Sequence, residues 1–368
     1  MVGRKGTVEG LAVTPGFWNG KRVFVTGHTG FKGSWLCLWL EHLGAKVVGY
    51  ALDPPTSVNL FDAARVNSGM ISLRGDVCDA ELLERAMREH QPEIVVHLAA
   101  QSLVHRSYEA PLETYETNVL GTVAILDALR RTQVVRAAVI VTSDKCYDLR
   151  SEKERYTEAD ALGGYDPYST SKAAAEFVTA GYRTSFWMDR NAVAVATARS
   201  GNVIGGGDWS ADRLLPDLIS AFSEGRPALV RAPEAIRPWQ HVLDPLRGYL
   251  MLAERLYAEP GRGFDSAWNF GPPAANERTV REIADTAARI WGSNASWEPD
   301  TATHPHEARV LRLDSAKAAA KLDWRGRIPL DAALERTLSW HKQFSDGADA
   351  RALAIAGIDE LAMYAVGS

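Results

Sequence analysis

The stretch Lys21-Arg-Val-Phe-Val-Thr26, continued by Gly27-His28-Thr29-Gly30-Phe31-Lys32-Gly33, decides how the rest of the chain is read. A β-branched apolar run that stops at a glycine turn and restarts as a helix, Phe31 to Leu43, predicts a strand–turn–helix unit. Glycine lets the backbone turn tightly and come close to a pyrophosphate, and the helix N-terminus offers free N–H groups and a positive dipole end. The spacing Gly-x-x-Gly-x-x-Gly is one residue longer in its first gap than the usual dinucleotide fingerprint, and the competing role is a plain tight turn. His28 and Lys32 are expected to be exposed on this turn, with no chemistry.

Working outward, strands are predicted at Lys46–Tyr50, Met70–Leu73, Glu93–His97, Ala137–Thr142 and Ala192–Ala196. Helix-length segments separate them, at Asp79–His90, Leu112–Arg130 and Ser169–Met188. This alternation implies βαβ units, hence an α/β, Rossmann-like, doubly wound parallel sheet covered on both faces. Past residue 200 the pattern breaks into loops rich in Gly, Pro and Trp, which predicts a smaller, interleaved C-terminal substrate domain. The expected division is an N-terminal extension (1–16), a dinucleotide-binding domain (17–200) and a mostly substrate-binding part (201–345) with segments returning to the sheet. A C-terminal tail (346–368) completes it.

The chain has 368 residues, 46% apolar and 24% charged, with a net charge of −5. That composition excludes disorder and a disulfide-stapled scaffold. The mild acidity argues against a nucleic-acid partner, which needs a concentrated basic surface. No 18-residue apolar stretch predicts a membrane span, and Met1 to Leu11 has no signal-peptide core, so a cytoplasmic location is expected. The three cysteines, Cys37, Cys78 and Cys146, lie in apolar runs at no ligand-like spacing and are expected to be buried and reduced. Nine histidines without Cys partners or a His-x-x-x-His pair predict no metal site.

Asp53, twenty residues after Gly33, is placed to hold an adenosine ribose; its competing role is a turn aspartate before Pro54. Tyr50 to Ser57 contains no Arg or Lys to receive a 2′-phosphate, which favours NAD over NADP. Asp76 and Val77 are placed to border the adenine, or else Asp76 caps the following helix. Small residues after His97 (Leu98-Ala99-Ala100) leave room for a cofactor, while His97 itself reads as structural. Trp35 and Trp39 read as core. Tyr168 and Lys172 share a helix face, and the ammonium is expected to pull the phenol down from about 10 toward neutrality. The strand end Thr142-Ser143-Asp144-Lys145 meets them where sheets of this kind bind ligands.

Thr26-Gly-x-x-Gly-x-x-Gly33, the serine-bearing strand end and Tyr168-x-x-x-Lys172 together resemble the extended short-chain dehydrogenase/reductase superfamily. Gly27-His-Thr-Gly-Phe-Lys-Gly-Ser-Trp35, Thr142-Ser-Asp-Lys-Cys-Tyr147, Gly201-Asn-Val-Ile-Gly-Gly-Gly-Asp-Trp209 and Arg237-Pro-Trp-Gln-His241 narrow the likeness to its CDP-glucose 4,6-dehydratase family, from about Phe17 to the helix containing Trp340. The resemblance implies an NAD-dependent lyase acting on CDP-glucose, with Ser143, Asp144, Lys145, Tyr168 and Lys172 catalytic. It implies NAD contacts from Gly27, Thr29, Gly30, Phe31, Gly33, Asp53, Asp76, Val77, Leu98, Ala99, Ala100, Thr142, Tyr168 and Lys172. Substrate contacts are implied at Asn202, Arg213, Arg237, Asn269, His306 and Arg309. Related dTDP-glucose dehydratases carry an Asp-Glu pair where this chain has Asp144-Lys145. A homodimer or homotetramer, and a role in dideoxyhexose biosynthesis for lipopolysaccharide O-antigen, are further implications. The alternatives are a 4-epimerase, a dehydratase for another nucleotide hexose, and an NAD-binding scaffold without catalysis.

Overall fold

The computed structural model describes residues 13–151, 153–189, 192–292, 295–302 and 311–363. Its centre is a seven-stranded, all-parallel sheet. The strands are β1 (Arg22–Thr26), β2 (Lys46–Ala51), β3 (Ile71–Arg74), β4 (Ile94–His97), β5 (Ala137–Val141), β6 (Ala194–Arg199) and β7 (Ala267–Asn269), in the order β7-β6-β5-β4-β1-β2-β3. The chain winds outward from β1 in one direction and, after β3, returns to its other side at β4. The carboxyl ends of β1 and β4 therefore border the crevice where such sheets take ligands.

Alternation along the strands builds two cores. Val23 and Val25 of β1 pack into one helical layer with Trp35, Leu36 and Trp39, whereas Phe24 points to the other with Tyr50, Leu83 and Ile125. The flanking helices are α1 (Phe31–His42), α2 (Ala80–His90), α3 (Gly121–Arg131) and α4 (Pro167–Phe186). Caps fix two of their starts: Asp79 accepts from the Leu82 N–H, and Asp166 accepts from the Ser169 N–H with Pro167 in the first turn.

Residues 201–345 supply α5 (Leu214–Ser223), α6 (Leu243–Ala258), α7 (Val280–Trp291) and α8 (Leu330–Ser345), while β7 returns to the edge of the main sheet beside β6. Short two-stranded pairings tie the rest together, Ala228–Val230 with Trp297–Pro299 and Ile236–Pro238 with Glu277–Thr279.

The expected helical stretch Leu112–Arg130 is helical throughout, with a five-residue π-helical turn, Glu116–Leu120, between Pro111–Tyr115 and α3. Two expectations need correction. The expected tail, 346–368, contains a helix, α9 (Ala350–Met363), whose Ala350, Ala354, Ile358 and Leu361 recur at helical spacing and are buried. Cys78 is exposed rather than buried, because its loop crosses the sheet edge with the thiol on the Glu116 carbonyl at 3.4 Å; Cys37 and Cys146 are buried and free.

Candidate active site

The turn after β1 is a cradle built by close approach. Gly27 adopts φ +74°, and a Cβ there would stand 2.7 Å from the Ala99 nitrogen. A Cβ on Gly33 would stand 2.1 Å from the Gly27 carbonyl oxygen, so α1 can sit this near the strand only with glycine. Gly30 differs: its φ is −80°, and an added Cβ would meet only the Gly27 oxygen at 3.5 Å. Packing within the protein does not require glycine at 30; the space in front of it fits a pyrophosphate lying on the N-terminus of α1. Thr26 closes the cradle by accepting the Leu98 and Ala99 N–H groups on its hydroxyl (3.1 and 3.2 Å) and meeting His97 Nδ1 at 2.7 Å. His97 is thus structural, and burial drives its pKa down to about 3.

A cleft of about 740 Å³ opens from this cradle. At one end stand Gly27, Thr29, Gly30, Phe31, Gly33, Asp53, Asp76, Val77, Leu98, Ala99 and Ala100; in its middle stand Thr142, Ser143, Asp144, Lys145, Tyr168 and Lys172. Asp53 is exposed and paired with Arg74 at 2.8 Å. Arg74 comes from β3, beyond the segment Tyr50 to Ser57, and only the pairing of β2 with β3 brings it to Asp53. Asp76 accepts the Cys78 N–H rather than capping α2, whose cap is Asp79.

The expected exposure of His28 and Lys32 is overturned. His28 is fully buried, with Nε2 2.8 Å from Ser72 Oγ, and burial and Arg74 lower its pKa to about 4. Lys32 turns into the cleft, where its Nζ donates to Ser200 Oγ at 3.1 Å. Burial, reinforced by Arg213 and Lys172 and opposed by Asp144, lowers its pKa to about 7. A charged residue in the first turn of an otherwise apolar helix was the available signal. Its helical phase, on the side of the cleft, was not legible without the sheet.

Ser143, Asp144, Lys145, Tyr168 and Lys172, the residues expected to be catalytic, line one cleft, and one expectation about them changes. Ser143 Oγ donates to Asp144 Oδ1 at 3.0 Å and accepts the Lys145 N–H at 3.2 Å. Asp144 is buried, and Gly201 is glycine because a Cβ there would stand 1.7 Å from Asp144 Oδ2. Lys145 is half-buried in the cleft wall. The difference concerns Tyr168: burial raises its phenol to about 12, with Ser143 and Arg213 opposing and Asp144 adding. Lys172, expected to lower that value, points its Nζ at the Val141 carbonyl at 3.4 Å, and burial lowers its own pKa to about 8. Ser143 and Arg213 are the groups that favour phenolate here.

On the substrate side, Asn202, Arg213 and Arg237 line the cleft. Asn202 holds a left-handed φ of +44°, and Arg213 donates to Asp208 and Ser102 at 3.1 and 3.0 Å. Asn269 does not line the cleft and is corrected to a structural role. Its amide donates to the Tyr156 and Asp314 carbonyls and its Oδ1 accepts from Tyr147, which uses up both ends of the side chain. His306 and Arg309 lie outside the described residues. Among the described residues no cluster of three His, Cys, Asp or Glu is arranged to hold a metal, and no helix is long and apolar enough to cross a membrane.

A family described as GDP-mannose 4,6 dehydratase matches residues 24–337. The chain belongs to this family. It is 50% identical over 337 residues to CDP-glucose 4,6-dehydratase of Salmonella typhimurium strain LT2, covering 90% of this chain and 94% of that one. It is 26% identical to dTDP-glucose 4,6-dehydratase of Xanthomonas campestris pv. campestris, covering 86% and 92%. Among solved structures, UDP-glucose 4-epimerase of Thermus thermophilus in complex with NAD superposes with a TM-score of 0.74 at 26% identity, covering 87% of this chain and 99% of that one. dTDP-glucose 4,6-dehydratase from Bacillus anthracis superposes at 0.73 and 23%, a likeness of fold, covering 89% and 98%. This member of the 4,6-dehydratase family is accordingly an NAD-dependent hydro-lyase, and its glycine cradle and cleft fit that cofactor.

Proposed function

We propose that the chain converts CDP-D-glucose to CDP-4-keto-6-deoxy-D-glucose and water. The observation that carries the chemistry is the meeting of Ser143, Asp144, Lys145, Tyr168 and Lys172 in one cleft continuous with the glycine cradle. CDP-glucose as the sugar nucleotide rests on the 50% identity to the Salmonella enzyme.

Tyr168, its phenolate form favoured by Ser143 and Arg213 against the burial of the ring, takes the proton of the C4 hydroxyl. NAD, held on the cradle of Gly27, Gly30 and Gly33, would supply the acceptor for the C4 hydride and the source of the hydride at C6. The ketone left at C4 acidifies the C5 proton, which Lys145 removes. Asp144 delivers a proton to the departing C6 hydroxyl, so water leaves and a C5–C6 double bond forms. The ammonium of Lys145 then protonates C5 as C6 accepts the hydride, and the sugar has lost only water. Asp144 and Lys145 have no task in a 4-epimerase, which makes the ketone but eliminates nothing.

Arg213 and Arg237 suit the diphosphate, because guanidinium forks match its oxygens. We further infer a cytoplasmic homo-oligomer, dimer or tetramer, whose product serves dideoxyhexose units of surface polysaccharide such as lipopolysaccharide O-antigen. Incubation with CDP-glucose and NAD+, followed by alkali and a scan for the 4-keto chromophore, tests the activity. A chromophore from dTDP- or UDP-glucose but none from CDP-glucose reassigns the substrate. Interconversion of C4 epimers without loss of water points instead to an epimerase.

A further inference from the structure

The cleft continues past Arg213 and Arg237 to an end lined by Asp217 of α5, by Arg231, and by the apolar Leu229 and Ala235. With the dinucleotide at Gly30 and Asp53, the hexose at Tyr168 and the diphosphate at the two arginines, the nucleobase falls at this far end. Asp212, at a left-handed φ of +61°, holds both polar side chains there. Its N–H donates to the Asp217 carboxylate, its carbonyl accepts Arg231 Nη2 at 3.0 Å, and its own carboxylate lies 3.3 Å from Arg231 Nη1.

We infer that Asp217 and Arg231 read the pyrimidine edge and select cytosine over uracil, an inference that rests on the nucleotide-sugar reading above. Cytosine presents an N4–H donor beside the N3 and O2 acceptors, whereas uracil presents an O4 acceptor beside an N3–H donor. A carboxylate next to a guanidinium offers an acceptor beside a donor, which complements cytosine. Uracil would set O4 against a carboxylate and N3–H against a guanidinium, leaving these half-buried polar groups unpaired against the base. Burial raises the Asp217 pKa to about 6; Arg231 and the Asp212 N–H oppose this, and the carboxylates of Asp212 and Asp208 add to it. Near pH 7.5 the group accepts only. Below 6 it becomes a carboxyl whose O–H can donate to O4, so the preference for cytosine fades as pH falls.

Calorimetric titration of the full chain with CDP and with UDP, at pH 7.5 and at pH 5.5, tests this; the titration of the diphosphate itself cancels in the ratio of the two Kd values. One such edge contact discriminates by about 5- to 150-fold, the expected preference for CDP at pH 7.5. The ratio should shrink severalfold at pH 5.5. In Asp217→Asn it should be near one at both pH values, because the amide can turn its NH2 toward O4. A parent chain with the same CDP preference at both pH values overturns the inference, as does an Asp217→Asn variant that keeps the parental ratio; the CDP-glucose reading stands in both cases. No preference for CDP in the parent at pH 7.5 overturns that reading itself. The parental pH series decides even if the variant does not fold.

Discussion

Arg199 and Glu176 meet edge to edge beneath the active-site helix: Nε lies 2.9 Å from Glu176 Oε1 and Nη2 lies 2.8 Å from Oε2, with both side chains buried. Thr142 and Thr197 donate to the same carboxylate at 2.5 and 2.7 Å, and Arg199 also donates to the Tyr147 hydroxyl at 2.7 Å. Glu176 lies one turn beyond Lys172 and two beyond Tyr168 on α4. The pair therefore locks the reactive face of that helix to the carboxyl ends of β5 and β6.

Glu176→Gln should leave the guanidinium buried and uncompensated, at a cost of about 3–5 kcal/mol read from urea unfolding. Burial alone would raise the Glu176 pKa, but the bonds from Arg199 and the two threonines outweigh it and hold it below the ordinary carboxylate range. A depressed folded value contributes stability that is fully present above the unfolded value, about 4.3, and is lost as pH falls through the folded one. The Gln variant should therefore show a flatter acid limb. A variant within 1 kcal/mol of the parent, with an unchanged acid limb, would mean that the pair contributes little.

Tyr168→Phe deletes one oxygen from a buried ring and should leave the unfolding midpoint nearly unchanged. Loss of a positioned base costs about 100- to 10,000-fold in rate, so turnover should fall by that much. Turnover within a few-fold of the parent would remove Tyr168 from the role of base.

The succession of strands, the glycine turn and the grouping of Ser143, Asp144, Lys145, Tyr168 and Lys172 in one cleft were legible because each rests on local periodicity or on a motif whose parts are close in sequence. What failed depended on contacts across the sheet. Lys32 looked like a solvated turn residue until β6 brought Ser200 to it. Arg74 was invisible from the window around Asp53 because it belongs to the neighbouring strand. Asn269 sits at the carboxyl end of β7, where a ligand contact is plausible by family position, yet Tyr147, Tyr156 and Asp314 saturate its amide. The helix at Ala350–Met363 was missed because its buried positions include two alanines, which give little apolar contrast.

Lys32 yields a prediction with a definite sign. Its folded pKa, about 7, lies well below the unfolded value of about 10.4, so the native state binds fewer protons between them and stability rises with pH across that window. Lys32→Met removes the cost of burying the charge. It should raise stability on the order of 2 kcal/mol at pH 7 or below, with the gain vanishing by about pH 10. A variant destabilised at pH 7 would show that Asp144 more than offsets the burial of the ammonium.

Self-association should use the outer faces of α4 and of the segment leading into α3. Leu112, Tyr115, Leu120, Phe177 and Phe186 are exposed there, a concentration of apolar side chains that a second copy would cover. Val119 and Val123 are half-buried and can contribute, whereas Leu126, on another face of the helix, is fully buried in the core. Light scattering at micromolar concentration should give at least twice the 40.2 kDa chain mass. A monomeric mass would refute the proposal.

Lys145 and Asp144 follow Ser143 directly, and their order separates two stages of the reaction. Asp144 is fixed by Ser143 and by its close fit over Gly201, while the side-chain nitrogen of Lys145 has no hydrogen-bond or ion-pair partner among the described residues and can move to the sugar. Lys145→Met keeps an unbranched four-atom stem and removes the amine. It should still oxidise C4 but stall before elimination, so enzyme-bound reduced nicotinamide should accumulate as near-ultraviolet absorbance. Exchange of solvent deuterium into C5 should fall in step by about 100-fold or more, the usual cost of losing a positioned base. Asp144→Asn should stall at the same stage yet retain C5 exchange, because the amine is still there to take that proton. Release of the 4-keto-6-deoxy product by Lys145→Met at a near-parental rate would exclude Lys145 as the C5 base. Absence of bound reduced nicotinamide after mixing with substrate would instead place Lys145 before the elimination, at the oxidation of C4.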